Sequence, residues 1–544
     1  MNARRRFLLG LILVLGAALR LALYLSRPSY SIDETMLGLE IGTRSFAGLL
    51  HPLDYAQTGP PLFLWGTKLI ASTMGMSEYA LRLIPLAAGV LVPILTWRVA
   101  GRVLEASAAL LAVAVTVFAP TLVQYSVIAK PYMTDALIAL ALADATFRIL
   151  DRPEAGGRWA WLGLIGLVAV TGSVPAPFML AGVGAAILIG VRPTAATVVW
   201  RLATCVVVWG AVLLPLYFRL YRPIASSGYM QEFWSGSFFS PGRLAGWQLA
   251  GRAVVQSLVA RPIPNVIVLA VVVLLAGGFW MLARRNGRTI ATLLGAPVVL
   301  LVAASVLHRY PLSARLLLGA APTFALCCAA GTAALVERQP AIGTTLSILL
   351  VAALASVNVL HPYRTPALRP AVAALRAAAS PTDPVYLSSG AIPAWAFYTT
   401  DWSVPDAAYL GEIRRWAGRP EAPAFHNSAP RGRAVTGTEG DSAAVRHLGR
   451  LEILGLAPGI QWREVSGLSG RTPDAGWADR EAVRIRGAAP AVWLLIANSY
   501  AQSTAALLTA LEGAGGHVDS DSIGGGVRRL RVRFSSDSTA AAAP

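Results

Sequence analysis

The chain has 544 residues, 55% of them hydrophobic and only 14% charged, with a formal net charge of +18 and a mean hydropathy of +0.58. That much apolar surface excludes an ordinary soluble globule and implies an integral membrane protein with a polar appendage. The basic residues are scattered rather than clustered with aromatics, so the charge follows the positive-inside rule and not a nucleic-acid surface.

Taken in order, Arg4-Arg5-Arg6 precedes an apolar run over residues 7–25. The pattern is similar to a signal peptide, but Arg20 interrupts the end of the run and no small-x-small pattern precedes Ser26, so a retained first span is expected. Residues 26–78 read as a long outer loop with interfacial helices at Thr35–Leu50 and Pro60–Met74, the latter amphipathic with Trp65 and Lys68. Further spans are expected at 79–100, 104–120, 131–150, 159–173, 175–191 and 202–219. A second long loop, 220–262, follows, and then spans at 264–283, 290–307, 315–335 and 341–360. This is a polytopic α-helical membrane protein of about eleven transmembrane helices, N-terminus cytoplasmic, with arginine on every cytoplasmic connection.

Beyond residue 360 the apolar runs shorten and turn residues become frequent. Thr365-Pro366 reads as the start of a helix over Ala367–Ala379. Strands are expected at Val385–Ser388, Val492–Ala497 and Val527–Phe534, with a helix at Thr504–Glu512 stopped by Gly513 and Gly515. The organisation expected is a transmembrane domain over 1–360, an extracytoplasmic α/β domain over 361–534 and a disordered tail over 535–544. The cysteines, Cys205, Cys327 and Cys328, all lie in apolar segments, and no disulfide framework or metal-ligand spacing is visible, His51, His308 and His361 included.

The candidate reactive groups all fall on the outer side. Asp33 and Glu34 come from the first loop. Tyr125, Lys130, Tyr132 and Asp135 come from the turn near residue 130, and His308, Arg309, Tyr310 and Arg315 from a later short loop. A carboxylate takes a proton from an attacking hydroxyl. Lysine and arginine hold a phosphate. Together at a membrane surface they suit transfer of a sugar from a lipid-linked phosphate to a hydroxyl, with Asp33 as general base. No P-loop and no GxGxxG after a strand suggests a nucleotide site, which fits a donor charged elsewhere.

Tyr30-Ser31-Ile32-Asp33-Glu34, following a first span that contains Arg20, resembles the first-loop acidic motif of the C-type (GT-C) polyprenol-phosphate-dependent glycosyltransferases. The branch is the one holding protein O-mannosyltransferases, aminoarabinose transferases and related family 39 and 83 enzymes. Gly59-Pro60-Pro61-Leu62-Phe63-Leu64-Trp65, Ala80-Leu81-Arg82-Leu83-Ile84-Pro85, Gln124-Tyr125-Ser126 through Ala129-Lys130-Pro131-Tyr132 with Asp135, and Tyr310-Pro311-Leu312-Ser313-Ala314-Arg315 resemble its later motifs in order. Asp383-Pro384-Val385-Tyr386 and Val492-Trp493-Leu494-Leu495 are similar to the outer domain of bacterial members.

The resemblance implies an inverting, membrane-bound hexosyl- or pentosyltransferase with Asp33 and Glu34 at the catalytic centre. Glu34 would support Asp33 or touch the acceptor. Lys130, Arg309 and Arg315 would face the carrier phosphate, and Tyr132, Asp135, Tyr310 and Gln57 are substrate-binding candidates. The partners implied are a polyprenyl-phosphate sugar, membrane lipid and a cell-envelope acceptor. No cofactor is implied with certainty, and a divalent metal is left open. Aminoarabinose transferases carry an acidic residue and a lysine just before the segment matching Pro60-Pro61. Here Gln57-Thr58-Gly59 stand instead, a departure that bears on that sugar and on the metal site built on that acid. The alternative from another class is a transporter or flippase of lipid-linked glycans. It would place polar groups near the bilayer midplane, whereas here the acids gather at one face. A third reading is a structural membrane partner whose outer domain carries the function.

Overall fold

The computed structural model describes residues 3–191, 196–380, 383–388, 390–417, 446–448, 451–454, 476–497 and 501–535. Apart from Ser535, the expected tail lies outside the described residues.

The bundle begins with α1 (Ala3–Leu25), α2 (Ile32–Thr43), α3 (Pro61–Met74), α4 (Glu78–Val103), α5 (Ala106–Phe118), α6 (Pro120–Tyr125) and α7 (Tyr132–Asp151). It continues with α8 (Gly156–Gly172), α9 (Ala176–Gly190) and α10 (Ala196–Leu216). The short α11 (Arg222–Ala225) and α12 (Gly228–Phe233) come next, and then α13 (Leu244–Val259), α14 (Asn265–Val306), α15 (Ala321–Arg338) and α16 (Pro340–Leu360). Each expected span coincides with helix, and six of these helices, allowing for short extensions, are long and apolar enough to cross a membrane. The chain is a multi-pass helical membrane protein. Two expected spans, 264–283 and 290–307, run together in α14, but the backbone breaks at Gly287 (φ 76°), a conformation glycine adopts without steric cost. Arginines at the end of the bundle remote from α2 pair with acids: Arg98 and Arg148 with Asp144, Arg285 with Glu337. Asp144, an otherwise costly charge in a span, is thereby paired.

The first interfacial helix differs from its expected bounds. It starts at Ile32 rather than Thr35, because Ser31 and Glu34 form a capping box, and it ends at Thr43 where Arg44 turns extended. Pro60–Met74 is helical as expected, from Pro61. Arg20 is wholly buried in α1. Its guanidinium donates to the carbonyls of Thr116 (3.0 Å) and Val117 (3.0 Å) at the C-terminal end of α5, the end where a cation is favoured.

Past the bundle come α17 (Leu368–Ala378), β1 (Pro384–Leu387), α18 (Ile392–Thr399), α19 (Ala407–Ala417), β2 (Arg446–Leu448), β3 (Leu451–Leu454), α20 (Trp477–Ala488), β4 (Ala491–Ala497), α21 (Ala501–Gly513), β5 (Gly516–Gly524) and β6 (Val527–Phe534). Thr365 does not cap α17. The cap position is Ala367, whose N–H is instead taken by the Gly525 carbonyl (2.8 Å). The strands form one mixed sheet in the order β2-β3-β1-β4-β6-β5, with β1 parallel to β3 and β4 and the remaining pairs antiparallel. Alternation along β4 builds two cores. Val492, Leu494 and Ile496 pack with α20 and α21, while Trp493, Leu495 and Ala497 face α17, α18 and, through them, α2 and α3. The helix carrying Asp33 is therefore part of a core shared by the bundle and the sheet. Gly38 of α2 makes this docking close: a Cβ there would sit 2.8 Å from the Phe397 ring of α18.

Candidate active site

Successive helix residues point about 100° apart, so Asp33 and Glu34 cannot share a task. Glu34 turns inward and is fully buried. Its Oε1 accepts from Arg82 Nε (2.8 Å) and from the Ala129 N–H (2.9 Å), and its Oε2 from Arg82 Nη2 (3.1 Å), Ser31 N (3.0 Å) and Ser31 Oγ (3.0 Å). Arg82 lies over the Tyr30 ring (4.8 Å) and donates to the Pro28 and Ser29 carbonyls. A carboxylate with five donors has no capacity left for an acceptor substrate. Its bond to Ala129 ties α2 to the turn that carries Lys130, so the geometry fits the supporting role and not contact with the acceptor.

Asp33 turns the other way, with its side chain 40% exposed, and its Oδ2 accepts from Arg315 Nη1 (3.0 Å). Burial opposes ionisation here, but the nearby Lys130 ammonium, the Arg315 guanidinium and a hydrogen bond from Gln57 outweigh it and hold the Asp33 carboxyl below the ordinary range. Arg315 stands in a 3-10 segment, Ala314–Ala320, that enters α15, and the Trp234 ring stacks on its guanidinium at 5.1 Å. Trp234, from the loop after α10, was not foreseen. Nothing local in the sequence distinguishes it from the other interfacial tryptophans.

Lys130 is buried between α6 and α7, and its Nζ donates to Gln57 Oε1. Burial first, and then Arg315, lower its amine to about 8 against the opposing pull of Asp33 and Glu34. The amine therefore loses its charge in the folded protein at lower pH than in the unfolded chain. Below about pH 8 the folded state carries the cost of a buried ammonium, and stability from this group rises as pH climbs from there toward the ordinary lysine value. Labelling of Lys130 by an amine-acylating reagent is expected to rise with a midpoint near pH 8, well below that of exposed lysine. A midpoint at the ordinary value would overturn the buried placement.

Behind this triad the aromatic candidates form a wall. Tyr125 and Tyr132 meet edge to face (5.2 Å), and Tyr310 meets Phe178 in the same way (5.5 Å) while its hydroxyl donates to the Leu316 carbonyl. Asp135 is buried in the first turn of α7 beneath Gly319, with Oδ1 lacking a hydrogen-bond partner. Tyr132, Tyr221 and Tyr310 all lie within its electrostatic reach. Below Gly319 a small apolar cleft is lined by Leu140, Met179, Leu293, Pro297 and Leu326. Asp33, Gln57, Lys130 and Arg315 are thus brought together, with Tyr132, Asp135 and Tyr310 behind them. Arg309 is not. It is exposed, and among the described residues no contact joins it to Asp33, Lys130 or Arg315. The preceding His308 takes a positive φ (55°) and stacks on Phe238, and the chain turns away. Among the described residues no group of three or more His, Cys, Asp or Glu side chains is placed to hold a metal ion.

Residues 58–217, which include Lys130, Asp135 and the bundle from α3 to α10, match the family described as dolichyl-phosphate-mannose-protein mannosyltransferase. Over that stretch the chain is similar to glycosyltransferases whose donor is a lipid-linked sugar phosphate. No curated protein matches it. Solved structures align over most of this chain at low identity. ArnT from Cupriavidus metallidurans bound to undecaprenyl phosphate is 14% identical, with 96% of this chain and 98% of that chain covered and a TM-score of 0.47. The oligosaccharyltransferase AglB from Archaeoglobus fulgidus, in complex with an inhibitory peptide and a dolichol-phosphate, is 13% identical, with 97% and 74% covered and a TM-score of 0.48.

Proposed function

We propose that this enzyme moves a monosaccharide from a polyprenyl-phosphate to a hydroxyl of a cell-envelope glycan, lipid or protein, at the extracytoplasmic face of the cell membrane, with Asp33 as general base. The observation that carries the reading is the meeting of one partly exposed carboxylate, Asp33, with two cations, Arg315 and Lys130, above an apolar cleft. Arginines at the opposite end of the bundle support the orientation, with the N-terminus and those connections cytoplasmic.

The chemistry follows from charge. Lys130 and Arg315 hold the Asp33 carboxyl below its ordinary range, which makes it a weaker base. A donor phosphate competes for Arg315 and Lys130 and relieves that hold, so Asp33 gains basicity when the donor is in place. The acceptor oxygen then attacks the anomeric carbon and its proton passes to Asp33. The sugar–phosphate C–O bond breaks, and its electron pair leaves on the polyprenyl phosphate, where Lys130 and Arg315 meet the charge. The aromatic wall and the partnerless Asp135 oxygen suit a hydroxylated ring, and the cleft suits hydrocarbon. Gathering of charge at one end of the bundle is what a transferase needs and a midplane transport site does not.

The test is transfer from a panel of polyprenyl-phosphate sugars to cell-envelope acceptors by the purified enzyme in lipid nanodiscs. No transfer from any of them counts against the reading. Within the panel, Arg315→Ala is expected to weaken donor binding about tenfold to a hundredfold, as loss of a charge-assisted contact does, with the acceptor KM little changed. A larger effect on acceptor than on donor would remove Arg315 from the phosphate site.

A further inference from the structure

The loop that brings Gln57 to Lys130 and Asp33 is strained. Tyr55 and Ala56, consecutive and neither of them glycine, take φ of 57° and 48°. Such backbone persists only where its surroundings over-determine it. Those surroundings come from far along the chain. Asp54 Oδ2 accepts from Arg414 Nε of α19 (2.8 Å), and the same oxygen is paired with Arg44 Nη2 (3.1 Å). Leu410 and Ile413 of α19 pack into the same core as Leu49, Leu53 and Tyr55. Arg44 is also paired with the fully buried Glu40 of α2, so the loop is gripped from the α2 side too.

We infer that Arg414 is a positioning residue for transfer: by holding Asp54 it keeps the strained Tyr55-Ala56 turn in the geometry that delivers Gln57 to Lys130 and Asp33. The inference rests on the proposed function for its consequence in turnover and on geometry alone for its structural part. It gives α19 a role in the reaction although no reacting group comes from it. Arg414 is 43% exposed and faces solvent beside the first loop, so its substitution leaves the cores intact.

The experiment compares the full-length wild type with Arg414→Gln, Arg414→Lys, Gln57→Ala and the Arg414→Gln/Gln57→Ala double variant in nanodiscs. Arg376→Ala, an exposed position on α17, is the control. The first readout does not need activity: acylation of Lys130 at fixed pH, followed by peptide mass spectrometry. Arg414→Gln is expected to raise the Lys130 labelling rate about tenfold, as far as Gln57→Ala does, since removal of the guanidinium releases the turn that shields the amine. The double variant should go no further than either single, and Arg414→Lys should stay near wild type. In the transfer assay kcat/KM should fall about tenfold for Arg414→Gln, the size of loss that a small misplacement of a positioned group produces, with the same non-additivity against Gln57→Ala. Unchanged Lys130 labelling in Arg414→Gln, or independent additive losses in the double variant, would overturn the inference. If the wild type transfers no sugar the proposed function fails, and the labelling result still decides the positioning role.

Discussion

Asp33→Asn is expected to lower turnover about 10³-fold, within the range that removal of a general base produces, while the protein keeps its melting temperature. The amide fills the same space at the N-terminus of α2 but cannot take the acceptor proton. The cost to stability is small, because the Arg315 pair it removes is partly exposed. Donor binding should be retained or tightened, since Arg315 no longer has a competing carboxylate and is free for phosphate. The combination distinguishes a lost base from a lost binding group: kcat falls while the donor Kd does not rise. Equal turnover by a well-folded Asp33→Asn enzyme would remove the base assignment. A rise in donor Kd matching the loss of rate would instead make Asp33 a binding group.

Arg82→Met is expected to have the largest effect on stability. Arg82 and Glu34 are 1% and 0% exposed, and the pair is bidentate. Removing one partner leaves a buried, unpaired carboxylate and costs about 3–5 kcal/mol, whereas replacing both with apolar side chains of similar volume is often close to neutral. The Glu34→Met/Arg82→Met double variant should therefore recover much of the melting temperature lost by Arg82→Met alone. Activity should not return with it, because the double variant also lacks the Glu34 bond to Ala129 that sets the Lys130 turn against α2. Thermal unfolding followed by intrinsic fluorescence, beside transfer assays, reads both effects. A melting temperature for Arg82→Met within a degree of wild type would refute the claim that this pair holds α2 in place.

A comparable burial acts on Glu40. Desolvation, and after it the neighbouring Asp54, push the Glu40 carboxyl up to about 8 in spite of Arg44. Its folded pKa lies above the unfolded value, so the folded state holds the extra proton, and stability from this group falls as pH rises between the two.

The helices of the bundle were legible because hydropathy is a local property read along one helix at a time. The capping box at Ser31 and Glu34 was equally local and would have corrected the start of α2. Arg309 illustrates the opposite case. It shares a short loop with Arg315, six residues away in the chain, yet a positive φ at His308 turns it outward while Arg315 enters the site. Glu34 was seen as acidic and beside Asp33, but its occupation by Arg82 and by the Ala129 N–H belongs to contacts made across 48 and 95 residues. The docking of α18 and α19 on the first loop left no local pattern at all, because it depends on which faces of two separately formed elements meet.

Composition and periodicity by themselves determined that this chain is a multi-pass helical membrane protein and that Asp33, Lys130 and Arg315 lie at one end of it. Burial of apolar residues and placement of arginine act on each segment alone and need no knowledge of its neighbours. Only the tertiary structure decided that Asp33 meets Arg315 across 282 residues, that Glu34 is a strut and that α19 grips the loop carrying Gln57. Those outcomes rest on pairing and desolvation between distant segments, where a charge is stabilised only by the particular partner that packing brings to it.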